Sequence, residues 1–295
     1  MGTPTFAIPP TFMGVTRHDR DAAFCVAGIP LDIATTNRSG ARGGPHAIRH
    51  ASRMLVDGHH PASWLDPASV ALADIGDFAI ALGEVEKSLA LIEQQASEIR
   101  HLIALGGDHS VTLALLRAAR KRHGMLGLVH FDAHVDTWPD SFGLRHGHGS
   151  VFFHAIEEGL IDPRRTIQIG IRSPVQREVW DWTIAKGVTI VPAEEVHGAG
   201  PQAIAARARD VVGGGNTYLS FDIDALDPAF APGTGTPEIG GLASWQTQAV
   251  LRRLGGVKFV GMDVMEVSPP YDVAEITSLA AATVVYEYLA LVASP

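Results

Sequence analysis

The chain has 295 residues, 46% of them hydrophobic and 19% charged, which supplies a substantial core and excludes a disordered, collagenous or low-complexity chain. A formal net charge of −9 argues against a nucleic-acid surface and favours cationic ligands. The only cysteine, Cys25, leaves no disulfide framework, thiolate zinc site or iron–sulfur cluster, whereas 14 histidines raise the question of metal binding. No apolar run approaches the length of a membrane span. The opening MGTPTFAIPP lacks a basic region followed by an apolar stretch, and Phe6 breaks the myristoylation pattern, so a soluble, reducing, cytoplasmic setting is expected.

Hydrophobic periodicity predicts the elements in turn. Strands are expected over 22–28 and 69–73, followed by a helix over 84–99 with Val85, Leu89, Ile92 and Ile99 at helical spacing. A strand over 101–105 leads into a helix over 110–122, whose last turn, Arg120-Lys121-Arg122, suits the helix dipole. A strand over 125–131 and a helix over 149–159 come next, then strands over 166–171 and 187–191 and a helix over 201–212. The series ends with a strand over 217–223, a helix over 244–254, a strand over 257–264 and a helix over 278–291. The strands are apolar on both faces, as in a mostly parallel sheet covered by helices on each side. Glycines 213–215 read as a helix-to-strand turn, and no linker divides the chain. One domain over 1–295 is expected, with 1–20 as an N-terminal extension packing on the domain or on a neighbouring subunit.

Polar residues crowd the segments just after predicted strands: GGDHS (106–110), DAHVDT (132–137), RHGHGS (145–150), SFDIDALDP (220–228) and DVMEVSPP (263–270). Carboxyl ends of strands are where open α/β sheets bind ligands. An extended chain sends alternate side chains to one side, so Asp132, His134 and Asp136 can converge, as can Asp222 and Asp224. A lone aspartate at such a place is ordinarily a helix cap. Aspartates gathered at the edge of a buried sheet repel unless cations neutralise them. With His109 and His134 they make up a two-metal site in which one or two carboxylates bridge. The oxygen-rich, sulfur-free donors favour Mn²⁺, with Fe²⁺, Co²⁺, Ni²⁺ or Zn²⁺ as substitutes. Two such ions lower the pKa of a shared water, which is hydrolytic chemistry. GGDHS lacks the Lys-Ser/Thr of a phosphate loop and can also be read as a glycine turn with an Asp–Ser cap.

GGDHS, FDAHVDT and SFDIDALDPAFAPGTGTPEIGG resemble the signature blocks of the ureohydrolases, the family of arginase, agmatinase and relatives. SGARGGPHAIR (39–49), HGSVFFHAIEEGLID (148–162), IQIGIRS (167–173) and DVMEVSPPYDVAEIT (263–277) extend the likeness from about residue 10 to the C-terminus. The resemblance implies a three-layer α/β/α fold with an eight-stranded, mainly parallel sheet, and cleavage of a guanidinium group to urea and an amine. It implies that His109, Asp132, Asp136 and Asp222 bind one Mn²⁺ and that Asp132, His134, Asp222 and Asp224 bind the other. It places Glu266 against the substrate guanidinium, Thr236 near that group, and His148 as the proton shuttle to the leaving amine. Asp136 is counted with His148 and Glu266 among the catalytic residues. Oligomers are common in the family, so a homotrimer or homohexamer is expected, with no nucleic-acid or membrane partner.

His146 competes with His148 for the shuttle, and the HG-[ST] alignment favours His148. His130 reads as structural, pointing away from the Asp132 side of its strand, or else as a support to the ligands. His154 is expected against the helix after its loop; His59, His60, His101 and His123 at surface or packing positions; Trp180 and Trp182 in packing or a subunit contact; Cys25 as an inert core thiol. The arginases' TSGN-type loop for the arginine α-groups is missing from WPDSFGLRHGHGS, which carries Asp140 instead. An acidic loop suits a small guanidino substrate with a distal cation, so agmatine is expected, with Asp140 among the binding residues. Arg145 in the same loop would suit guanidinobutyrate, and Val273 stands where agmatinases often have histidine after Tyr-Asp. A deacetylase-like amidohydrolase or a silent metal-binding subunit fits the full ligand set less well.

Overall fold

The computed structural model describes residues 8–293. The apolar runs form strands β1 (Phe24–Ile29), β2 (Leu72–Asp77), β3 (Leu102–Gly106), β4 (Leu126–Phe131), β5 (Ile161–Ile171), β6 (Thr189–Pro192), β7 (Thr217–Asp222) and β8 (Phe259–Met265). They make one sheet in the order β2-β1-β3-β8-β7-β4-β5-β6, with every neighbouring pair parallel. Between them run helices α1 (Gly44–Ser52), α2 (Val85–Ser97), α3 (Val111–His123), α4 (Val151–Glu157), α5 (Arg177–Lys186), α6 (Ala193–Val212), α7 (Ser244–Leu251) and α8 (Ile276–Ala293).

Strand alternation sorts the core into two slabs. Val26, Leu105, Val129, Phe131, Leu219 and Phe221 meet α1, α6, α7 and α8 on one face. Cys25, Ala27, Ala104, Leu128 and Ile171 meet α2, α3 and α4 on the other, where Trp180 and Trp182 of α5 also pack. This is the expected α/β/α sandwich.

Several elements depart from the periodicity. Strand β2 runs to Asp77, because its acids Asp74 and Asp77 are matched by Arg49 of α1 at 2.8 and 2.6 Å; a sequence window cannot supply that partner. Helix α1 has only nine residues and is hidden by Gly44 and Pro45, and α5 buries only Thr183. Helix α6 begins eight residues before its predicted start and breaks at Gly200 (φ 77°), with Pro201 opening the second segment. Helix α8, at 18 residues and mean hydropathy 1.6, is long and apolar enough to cross a membrane, which corrects the reading that no run is. It is a core helix here, 61% buried, with Val285, Tyr288 and Leu289 in the slab beneath the sheet.

In the N-terminal extension, residues 1–7, Phe6 included, lie outside the described residues. Phe12 is fully buried, and its N–H donates to Asp74 Oδ2 at 2.7 Å. Cys25 is also fully buried, and burial pushes its thiol pKa up.

Candidate metal centre

Strands β3, β8, β7 and β4 lie side by side at the centre of the sheet, so their carboxyl ends share one edge. The turn after β3 requires glycine: a Cβ on Gly107 would fall 2.2 Å from the Leu31 carbonyl oxygen. Asp108 then accepts the N–H groups of Ser110 (3.1 Å) and Ala34 (3.0 Å), which holds the turn, while helix α3 starts after Ser110 without a side-chain cap. The turn aims His109 across the sheet edge. Its Nδ1 stands 3.4 Å from Asp132 Oδ2, 3.1 Å from Asp136 Oδ2 and 3.3 Å from Asp222 Oδ2. Asp136 reaches this point from a left-handed backbone (φ 49°), a strained conformation for a non-glycine residue. His134 Nδ1 lies 3.2 Å from Asp132 Oδ1 and 3.1 Å from Asp224 Oδ2. Asp132 therefore turns one oxygen to each histidine. The 3₁₀ turn after β7 brings Asp222 and Asp224 to the same place, with Asp222 Oδ1 accepting the Asp224 N–H at 2.9 Å.

All four aspartates and His109 are buried, and His134 is half-buried against a cavity. Burial, then the charges of Asp224 and Asp132, push the Asp222 carboxyl well above its ordinary range; burial and Asp132 push Asp224 upward. Burial disfavours charge on His109 and His134 too, but the facing carboxylates outweigh it and raise both. Both responses relieve one excess of negative charge. A divalent cation relieves it without protons.

The His109 tautomer gives a sharper test. Ser220 Oγ donates to Asp263 Oδ1 at 2.7 Å, so it accepts from His109 Nε2–H at 2.9 Å. In the neutral ring Nδ1 is then left with a lone pair, buried and without a hydrogen-bond partner, facing three carboxylate oxygens. Lone pair against anions is repulsive unless a cation sits between them. The donors present thus fit a metal, and two ligand groupings with suitably close atoms are found among the described residues: His109, His130 and Asp132, and Asp132, His134 and Asp224.

His130 corrects the sequence reading of a side chain pointing away. Two residues before Asp132 on an extended strand, it faces the same side and donates from Nε2 to Asp132 Oδ2 at 2.8 Å. Gln168 fixes this tautomer by donating to His130 Nδ1 at 3.2 Å, its own amide oriented by a 2.7 Å bond to the Val135 carbonyl. His130 thus supports a ligand.

Glu266, also in left-handed backbone (φ 64°), is buried beside the cluster. Its Oε1 accepts the His109 backbone N–H at 2.9 Å and the His148 Nδ1–H at 3.0 Å, while its buried Oε2 has no partner. Burial opposes charge on His148, but the hydrogen bond and charge of Glu266 prevail and raise its pKa to about 9. His146 turns elsewhere, to Glu86 Oε1 at 2.6 Å, and His154 bonds the Arg145 carbonyl at 2.8 Å. A cavity of about 480 Å³ opens over the cluster, walled by His134, Asp136, His148, Thr236, Trp138 and Pro174 among others. Thr236 Oγ1 is 3.4 Å from Asp224 Oδ2. Asp140 is exposed on the rim and accepts the Gly143 N–H at 2.7 Å. Arg145 is exposed and does not line the cavity, nor does any lysine or arginine among the described residues.

Of the other histidines, His60 pairs with Glu287 at 3.0 Å and His101 with the Tyr288 hydroxyl at 2.7 Å, while His59 is exposed. Trp182 stacks on Phe153 with centroids 4.7 Å apart. Sequence reasoning overlooked Ser220, Asp263, Gln168 and Thr36. Ser220 was reachable, since it stands two residues before Asp222, as Asp222 stands two before Asp224. Thr36 sits in a loop without any pattern to mark it.

A model of the arginase family matches residues 22–290. The chain is 44% identical over 283 residues to an agmatinase of Salmonella dublin, covering 94% of this chain and 90% of the relative. It is 46% identical over 275 residues to a guanidinobutyrase of Pseudomonas aeruginosa, covering 91% and 85%. The crystal structure of a hypothetical agmatinase from Burkholderia thailandensis superposes with a TM-score of 0.91 at 42% identity, over 97% of this chain and 91% of that one. With the fold, the strand-end cluster and these matches in agreement, the chain belongs to the arginase family.

Proposed function

We propose that the protein hydrolyses the guanidinium group of agmatine to putrescine and urea, using two Mn²⁺ per subunit. The observation that carries the reading is adjacency: a cluster of acids and imidazoles without a basic counter-charge lies beside Glu266, whose buried Oε2 awaits a donor. His109, Asp132, Asp136 and Asp222 would hold one ion, and Asp132, His134, Asp222 and Asp224 the other. Divalent ions there supply a water of lowered pKa as nucleophile and neutralise the carboxylates. The sulfur-free, carboxylate-rich donors suit manganese.

The chain's own groups do the rest. Glu266 Oε2 accepts a guanidinium N–H, whose planar fork matches a carboxylate. Its Oε1 is already held by His109 and His148, so the acceptor cannot swing away. Thr236 flanks the same position, and Asp136 is braced in its strained backbone to meet His109. His148 carries the proton that the departing amine needs, since an alkylamide anion is a very poor leaving group. Holding these groups in place, rather than forming them during reaction, supplies much of the acceleration.

The cavity wall selects the tail. It presents Trp138 and Pro174, offers Asp140 at the rim and lacks any lysine or arginine among the described residues, which suits a distal ammonium. A second reading, a guanidino acid such as guanidinobutyrate, draws on the relative bearing that name and on Arg145 in the rim loop. A place in polyamine metabolism and in the cytoplasm follows from the first. One domain over 1–295 agrees with a single sheet cored on both faces, and the described part of the N-terminal extension is anchored by Phe12. A homotrimer or homohexamer agrees with exposed Trp245 and Ile276 beside an apolar cleft of Leu226, Phe230 and Leu279.

Urea release by the Mn²⁺-loaded protein tests the reading, comparing kcat/KM on agmatine, arginine, guanidinobutyrate and guanidinopropionate. Agmatine should lead. A lead for a carboxylate-bearing compound would move the assignment to the second reading, and no urea from any of them would refute both.

A further inference from the structure

His148 is held at both ring nitrogens. Nδ1 lies 3.0 Å from Glu266 Oε1, while Nε2 lies 3.2 Å from the Thr36 backbone nitrogen and 2.8 Å from Thr36 Oγ1. A backbone N–H can only donate, so in the neutral ring Nε2 accepts and the proton sits on Nδ1, facing Glu266. That ring offers no N–H to the cavity. It lines the cavity beside Thr36, an exposed wall residue whose hydroxyl covers Nε2. The segment is pinned for this contact: the His148 N–H donates to the Ala34 carbonyl at 3.1 Å, and the Ala34 N–H donates to Asp108 Oδ2 at 3.0 Å. A hydroxyl suits both states of the ring. It donates to Nε2 when the imidazole is neutral and accepts from Nε2–H when it is charged.

We propose that the Thr36 hydroxyl relays the proton between His148 Nε2 and the cavity. In delivery, Nε2–H passes its proton to Oγ1 as Oγ1–H passes its own to the departing amine nitrogen. The threonine ends neutral, and the ring ends with its proton on Nδ1 against Glu266. Recharging runs in reverse, with a water giving a proton to Oγ1 as Oγ1–H protonates Nε2, the water leaving as hydroxide to solvent. The backbone N–H aimed at the same nitrogen opposes a proton resting there, which keeps Nε2–H ready to leave. Thr36 Oγ1 meets the departing nitrogen itself and His148 recharges it, so Thr36 is a catalytic relay residue; this inference rests on the guanidino-hydrolase reading.

The test compares the parent with Thr36→Val, which keeps the backbone N–H and the shape but loses the hydroxyl, and with Thr36→Ser, which restores it. Thr36→Ala serves in its place if the valine variant does not fold by thermal melt. Urea release from whichever guanidino compound the parent turns over fastest gives kcat and KM, and metal analysis gives bound Mn²⁺. The expected result is a fall of about 10- to 100-fold in kcat for Thr36→Val, with KM and bound metal within about twofold. Serine should recover most of the loss, and added imidazole buffer should raise the valine variant's rate while leaving the parent's alone. A valine variant with unchanged kcat overturns the relay, as does a loss that appears in KM or in bound metal, or one that neither serine nor imidazole repairs. A parent that releases no urea overturns the hydrolase reading itself, a result distinct from an active parent whose variants are unaffected.

Discussion

Two groups of acids lie in this molecule, buried Asp74 with exposed Asp77 at the edge of the sheet and a buried set at its centre, and they are neutralised in opposite ways. At the edge, Asp74 receives Arg49 through both oxygens, at 2.8 and 2.9 Å, and Asp77 receives the same guanidinium at 2.6 Å. Backbone N–H groups of Phe12 and Gly76 complete the shell of Asp74 at 2.7 and 3.1 Å. At the centre, Asp132, Asp136, Asp222 and Asp224 face imidazoles, a few backbone N–H groups and the Thr236 hydroxyl, and no guanidinium or ammonium bonds them among the described residues. Arg172 is near enough for its charge to act on Asp224 and Asp132, yet its guanidinium donates to the backbone carbonyls of Gly170, Asp224, Ala225, Leu226 and Glu238. The edge cluster carries its own counter-charge, so it is structure. The centre withholds one, which is the mark of a site that admits a cation from outside.

The largest effect that can break this contrast is Asp132→Asn, which removes the carboxylate facing both histidines. Bound metal should fall below two ions per chain and kcat by at least about 10³-fold, or about 4 kcal/mol of barrier, read by metal analysis and urea release. Retention of both ions at full rate would end the bridging assignment. Next comes Arg49→Met, which strands Asp74 as a buried, unpaired charge and should cost about 3–5 kcal/mol of stability by denaturant unfolding. Metal content of the folded fraction should not change. An effect below about 1 kcal/mol would mean that the edge cluster, too, is open to outside ions. The smallest effect is expected for His130→Phe, which keeps a ring against Phe152, 4.3 Å away, and deletes the bond to Asp132. Calorimetric titration with Mn²⁺ should show affinity weakened about 10- to 100-fold with stoichiometry kept; an unchanged affinity would reduce His130 to packing.

Much of the centre is legible in the amino-acid sequence because its grammar is local. The period-two rule by which side chains share a face holds up to the strand ends, and spacing by two flags the donors beyond them, although Asp136 arrives from a left-handed backbone and Asp224 from a 3₁₀ turn rather than from extended chain. The same rule, carried two residues upstream, places His130 beside Asp132 and Ser220 below Asp222. Its neglect, not its failure, leaves those positions misread or missed. The edge cluster is not legible, because Arg49 and Asp74 are 25 residues apart and neither sits in a repeating pattern. Periodicity accordingly misplaces strand β2, ending it before the acids that Arg49 makes tolerable within it.

By itself, the sequence determined the alternation of strands and helices, the donor types of the centre and the family whose blocks it repeats, since each depends on neighbours within a few residues. The tertiary structure alone decided which oxygen of Asp132 faces which histidine, that Ser220 and Asp263 set the tautomer of His109, and that His146 turns to Glu86 while Glu266 holds the Nδ1 of His148. It also decided that Thr36, 112 residues from His148 along the chain, stands 2.8 Å from its ring. The physical reason is the same in each case: hydrogen-bond direction is fixed by atoms brought together across β3, β4, β7 and β8 and their loops, and periodicity carries no information about which distant loops will meet.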